Sequence, residues 1–154
     1  SGNYYIEPGV LAMNGGFSVI YQESFVNSLI EKYKLKEEKY PDEVDYQAFF
    51  NSKTLFEIDE KITAPYFGKA SASEFYTEIS SATHLKNINH PTFMLNSLDD
   101  PLSPPECFPT KEDLSSPNLN FITTNKGGHV SFVSRDISYW LEKQLIRWFL
   151  HNLS

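Results

Sequence analysis

Two carboxylates and one imidazole stand where this chain has reason to turn. Asp99 and Asp100 follow the apolar run Thr92-Phe93-Met94-Leu95-Asn96 and precede Pro101; His129 follows Gly127-Gly128 after the stretch Asn118 to Thr124. A carboxylate beside an imidazole is the equipment of general acid–base chemistry. The histidine takes a proton from a hydroxyl nucleophile and returns it to a leaving group, which asks for a pKa near working pH. The carboxylate sets the ring tautomer and stabilises the imidazolium as it forms. The two glycines before His129 allow a tight turn from which the ring projects.

Other reactive side chains carry weaker arguments. Cys107 sits in Pro104-Pro105-Glu106-Cys107-Phe108-Pro109 with no base beside it, and a structural thiol is expected. His84, His90 and His151 lack metal-ligand spacing, so no metal site is expected. Ser18, in Gly16-Phe17-Ser18-Val19-Ile20, lacks the closing glycine of a nucleophile elbow. Tyr66, Phe67, Phe75 and Tyr76 are expected to pack in a cap or core rather than to line an acyl pocket.

The elements that must position Asp100 and His129 follow from the pattern. Gly9 to Ser18 is a short apolar run ending in Gly15-Gly16 and reads as a buried strand entering a turn. Phe25, Leu29, Ile30 and Tyr33 recur at helical spacing, giving a helix over roughly 23–34. Pro41-Asp42 opens a second helical piece through Phe50. Thr54-x-x-Glu57 and Ser71-x-x-Glu74 are capping boxes, each starting a short helix. From Pro91 the character changes. Thr92 to Asn96 is a buried-type strand, a Pro-rich loop and a short acidic segment follow, and Asn118 to Thr124 is a second strand with Leu119, Phe121 and Thr123 on one face. About Ile137 to Leu153 a helix places Ile137, Trp140, Leu141, Leu145, Trp148 and Phe149 on one side, to dock on a sheet. Strand, loop, helical segment, strand, loop, helix predicts an α/β fold with parallel strands. In such sheets functional groups gather beyond the carboxyl ends of strands, where the Asp pair and His129 fall.

An acid after one strand and a histidine after a later one is the tail of the Ser…Asp…His chain order of α/β-hydrolases. Asn96-Ser97-Leu98-Asp99-Asp100-Pro101-Leu102-Ser103-Pro104 resembles the acid loop of that superfamily, in which Pro follows the acid by four residues; Asp100 and Pro104 have that spacing, leaving Asp99 as a turn residue or a support. Lys126-Gly127-Gly128-His129-Val130-Ser131-Phe132 resembles the histidine loop. Thr63-Ala64-Pro65-Tyr66-Phe67-Gly68, followed by Ser73-Glu74-Phe75-Tyr76 and Ser80-Ser81, resembles the YheT-like branch, which includes embryogenesis-associated proteins and abhydrolase-domain lipases. The resemblance runs from about Thr54 to the C-terminus. It implies the C-terminal part of an α/β-hydrolase fold, with a helical cap-like region over about 20–90 and strand, acid loop, strand, histidine loop and helix over 91–154. It also implies an esterase or lipase acting on carboxylic esters, with no metal or organic cofactor, Asp100 as acid and His129 as base. The G-x-S-x-G nucleophile and the oxyanion donors would lie upstream, so this chain alone should not turn over an ester; a non-catalytic interaction module derived from the same fold is the alternative.

Composition narrows the partners. The chain has 154 residues, 40% of them hydrophobic and 15% aromatic, and a formal net charge of -7. The aromatic supply argues for a packed core. The acidic balance argues against nucleic acid, since Lys32, Lys34, Lys36 and Lys39 alternate with Glu31, Glu37 and Glu38 as a solvated helix face would. One cysteine forbids an internal disulfide and fits a reducing, cytoplasmic setting. No apolar run approaches the ~20 residues of a membrane span. The start, Ser1-Gly2-Asn3, reads as a processed or trimmed terminus, and a half-domain of this kind is expected to associate with its N-terminal half or with itself through an exposed sheet edge.

Overall fold

The computed structural model describes residues 2–130, 132 and 140–152. The chain forms two compact units, one of Ile6–Ile79 and one of Ser1–Tyr5 with Ser80–Ser154.

The first unit is helical, and its opening corrects the expected strand at Gly9 to Ser18. Helix α1 spans Ile6–Ala12 and closes in a turn, with Asn14 N–H donating to Leu11 C=O at 3.0 Å. A lone strand would leave its amides and carbonyls unpaired; a helix satisfies them within itself. Pro8 lies in the first turn, where an amide has no helical partner to lose. Helix α2 spans Ser18–Lys39, well beyond the expected 23–34, because Glu31 to Lys39 is rich in good helix formers and Lys36 and Lys39 complement the dipole at its end. Helix α3, Tyr46–Phe50, starts later than Pro41-Asp42: Asp45 is the cap, its Oδ1 accepting from Ala48 N–H at 2.9 Å.

Both capping boxes form. Thr54 Oγ1 accepts from Glu57 N–H at 3.1 Å ahead of α4, Leu55–Ile58. Ser71 Oγ accepts from Glu74 N–H at 3.2 Å ahead of α6, Ala72–Ile79. Each glutamate reaches one residue past the cap, to the amides of Lys53 and Ala70. Between them a π-helical turn, Asp59–Thr63, leads into α5, Ala64–Tyr66. The core is Val26, Phe49, Ile58 and Ile62, with Tyr33 stacked on Phe49 at 3.9 Å between ring centroids. Tyr76 is buried and donates to Asp59 Oδ2 at 2.6 Å, whereas Tyr66 and Phe67 are exposed. Phe67 instead stacks on Phe75, with Tyr66 against its edge.

The second unit holds the sheet. Strands β1, Thr92–Ser97, and β2, Leu119–Thr124, are parallel, in register from Thr92↔Leu119 to Ser97↔Thr124. Their carboxyl ends therefore stop level, and Leu98 N–H donates to Thr124 C=O at 2.8 Å to close the ladder. Alternation in β2 breaks at its end, where Ile122 is half-buried and Thr123 exposed. The crossover carries only the 3₁₀ turns Pro105–Cys107 and Asp113–Ser115. Pro101, Pro104, Pro105 and Pro109 supply no amide hydrogens, so a regular helix cannot build there. Helix α7 spans Trp140–Asn152, and the Trp148 ring lies 5.8 Å from Phe93 of β1. Trp140, Leu141, Leu145 and Trp148 are half-buried while Phe149 is exposed; Ile137 and Leu153 lie outside the described residues.

Candidate active site

The parallel register dictates where the site forms. β1 ends at Ser97 and β2 at Thr124, so the loops that follow leave the sheet at the same level and can touch. The acid loop turns at once: Asp100 N–H approaches Ser97 C=O at 3.4 Å, and Pro101 prevents any extension of the strand. Beneath it Asn96 and Ser103, both buried, bond to each other at 3.2 Å and both donate to Gly2 C=O, at 2.9 and 3.0 Å. Asn3 Nδ2 donates to Leu102 C=O at 3.3 Å. A polar cluster of this kind, with its donors used, holds a loop in one conformation.

Asp100 is buried at 4% exposure, and both of its carboxylate oxygens have partners. Oδ1 accepts from Leu102 N–H at 2.9 Å, and Oδ2 lies 2.9 Å from His129 Nδ1. The structure thus brings together the two residues chosen from the sequence. With Asp100 as carboxylate the shared hydrogen belongs to Nδ1, which directs Nε2 to the outer side of the ring. The two partners differ sharply in exposure, the Asp100 side chain being fully shielded and that of His129 43% exposed. A buried carboxylate can orient an accessible imidazole without itself taking a proton.

The histidine loop is shaped by its glycines. Gly128 has φ of +58°, in the left-handed region. Gly127 is needed for space: a Cβ there would sit 2.6 Å from the Phe132 ring and 3.2 Å from Ser97 Cβ. Asp99 is exposed. Its Oδ1 accepts from the Ser97 hydroxyl and from Gly128 N–H at 2.9 Å, and its Oδ2 lies 3.7 Å from Lys126 Nζ. The Ser97 hydroxyl first, then the Gly128 amide, hold its carboxyl below the usual 3.8.

The chain is similar to curated proteins. The chain is 29% identical over 135 residues to an abhydrolase domain-containing protein of Dictyostelium discoideum, covering 85% of this chain and 33% of that protein. It is 29% identical over 153 residues to the putative esterase YheT of Escherichia coli, covering 96% of this chain and 45% of the relative. It is 32% identical over 91 residues to human phospholipase ABHD3, covering 59% and 22%. These relatives support the α/β-hydrolase superfamily, in its YheT-like branch. The chain corresponds to a C-terminal portion of that fold, and spans a third to under half the length of the first two relatives. No family model and no solved structure matches it.

The other candidates of the sequence, Cys107 and Ser18, are both buried. Cys107 is fully buried, its carbonyl accepts from the amides of Tyr4 and Tyr5, and burial pushes its thiol up to about 11. Ser18 opens α2 in the helical unit and is buried. Among the described residues no group of three His, Cys, Asp or Glu side chains is arranged to hold a metal ion. None of the described helices is long and apolar enough to cross a membrane. The sequence pattern assigns Asp99 a turn or supporting part but not its partners, the Ser97 hydroxyl and the Gly128 amide; the adjacency of two acids in one tight turn was the available signal.

Proposed function

We propose that this chain supplies the acid, Asp100, and the base, His129, of a Ser-Asp-His triad in a carboxylic ester hydrolase whose nucleophilic serine lies outside these 154 residues. The observation that carries the reading is the 2.9 Å contact between Asp100 Oδ2 and His129 Nδ1, made by a fully shielded carboxylate to a partly exposed ring just beyond two parallel strand ends. The printed names of the relatives, a phospholipase and a putative esterase, support an ester or lipid as substrate class.

The chemistry runs through His129. As the serine oxygen attacks the ester carbonyl, Nε2 takes its proton while Asp100 stabilises the imidazolium. Collapse of the tetrahedral intermediate breaks the bond to the alcohol, which leaves with that proton. Water then attacks the acyl-enzyme, gives a proton to Nε2, and the acid product departs as serine recovers its hydrogen. No step uses a metal or organic cofactor. In the same reading the helical stretch of about 20–90 is a cap-like region, α7 docks on the sheet, and the open side of β1 receives strands of the N-terminal half. A second copy of the chain is the other occupant weighed there. A cytoplasmic setting belongs to this proposal as well.

Fluorophosphonate labelling of the full-length protein tests it. One serine outside this chain should be labelled, identified by peptide mass spectrometry, and His129→Ala should lower the labelling rate and ester turnover by about 10⁴ or more. Turnover unchanged in His129→Ala, or a label on Ser18, would contradict the assignment.

A further inference from the structure

Asp100 and His129 are brought within 2.9 Å although they lie 29 positions apart in the sequence. Val130, next to His129, is 79% exposed, and His129 itself is exposed. Gly127 is wedged between the Phe132 ring and Ser97, whereas a Cβ at Gly128 would meet open space and its left-handed φ is one that a glycine can leave at little cost. A contact that fixes the backbone at residue 128 also fixes where the His129 ring starts.

The candidate is the other carboxylate of the pair. Consecutive side chains in the Asp99-Asp100-Pro101 turn diverge, one inward and one outward, as their burial reports. Asp100 goes inward to the ring. Asp99 stays on the surface and bridges the ends of both strands' loops: its Oδ1 accepts the Ser97 hydroxyl, at the end of β1, and the Gly128 amide, one residue before His129. Lys126, on the same loop, sets its ammonium 3.7 Å from Oδ2. Hydrogen bonds to a carboxylate are stronger than neutral ones, and the bond to Gly128 is made by backbone rather than by a rotatable side chain, so it locates the main chain directly.

We propose that Asp99 is a positioning residue for the hydrolytic reaction, its carboxylate pinning Gly128 to the acid loop so that the His129 ring meets Asp100 and not solvent. This rests on the reading of Asp100 and His129 as acid and base. The part of Asp99 that acts is Oδ1 as acceptor, so an amide should serve in its place and a methyl group should not. Misplacement of a catalytic ring by about 1 Å costs about 100-fold in rate, which sets the scale of the effect.

The test compares Asp99→Asn and Asp99→Ala in the full-length protein, with Asp99→Ser standing in should the alanine variant fail to fold, since serine is too short to reach Gly128. Nitrogen NMR of the neutral His129 imidazole reads its tautomer without reference to activity. The wild type and Asp99→Asn should hold the hydrogen on Nδ1. Asp99→Ala should shift it toward Nε2, with kcat lowered up to about 100-fold and KM changed much less. Asp99→Ala or Asp99→Ser with the wild-type tautomer and kcat would overturn the proposal, as would an asparagine variant as impaired as the alanine one. A tautomer shift in a protein that hydrolyses no ester would keep Asp99 as the pin and remove the hydrolase reading. Full turnover with an unmoved tautomer would do the reverse.

Discussion

Each residue around His129 answers to a different physical demand. Asp100 is buried, and the Leu102 amide and His129 ring supply what water would have given its oxygens. Gly127 must be small and Gly128 must be left-handed, so the two glycines should respond differently to the same change. Gly127→Ala drives a methyl group into the buried Phe132 ring, so one of the two must shift, and should cost about 1–3 kcal/mol, with His129 displaced. Gly128→Ala meets open space and should cost about 1 kcal/mol through backbone conformation alone. Urea unfolding of the two variants checks the order. The glycine pair was readable in the sequence as a turn; which glycine serves space and which serves φ was not, because that depends on Phe132, which no local spacing brings to mind.

At the scale of elements, capping predicted better than periodicity. Thr54 and Ser71 start helices where their boxes said, since a cap is a bond between near neighbours. The apolar run at Gly9 to Ser18 became α1 because a short apolar run is compatible with either period until a neighbouring strand exists. The crossover between β1 and β2 was legible as a Pro-rich loop, but not the device that holds it. Asp113 accepts the Thr110 amide at 2.8 Å, the Thr110 hydroxyl at 2.7 Å and the Tyr5 hydroxyl at 2.7 Å. Desolvation opposes its charge, but these bonds outweigh it and hold the carboxyl below 3.8. A carboxyl whose folded pKa lies under its unfolded value stabilises the fold above that value and loses the contribution as pH falls through the folded one. Asp99 shifts the same way, so stability of this unit should fall as pH drops below about 3.8, and the double variant Asp99→Asn, Asp113→Asn should flatten that acid limb in thermal melts at graded pH.

For the molecule as a whole, the parallel sheet and its two loops were legible because the strands are short apolar runs bounded by Pro, Gly and Asp, and their chain order limits how they pair. The division into a helical unit and a sheet unit was harder to see, since residues 2–5 join the second unit through long-range bonds such as Tyr4 N–H to Cys107 C=O. The chain covers a third of one relative and under half of another, so its function is proposed as a share of a larger site. That share rests on one contact, between Asp100 and His129. Asparagine at position 100 keeps the shape and the bond to Leu102 but favours the wrong ring tautomer. The most direct measurement is therefore ester turnover by the full-length protein with Asp100→Asn: kcat should fall by about 10⁴ while the fold is retained, and a kcat within a few-fold of the wild type would contradict the account.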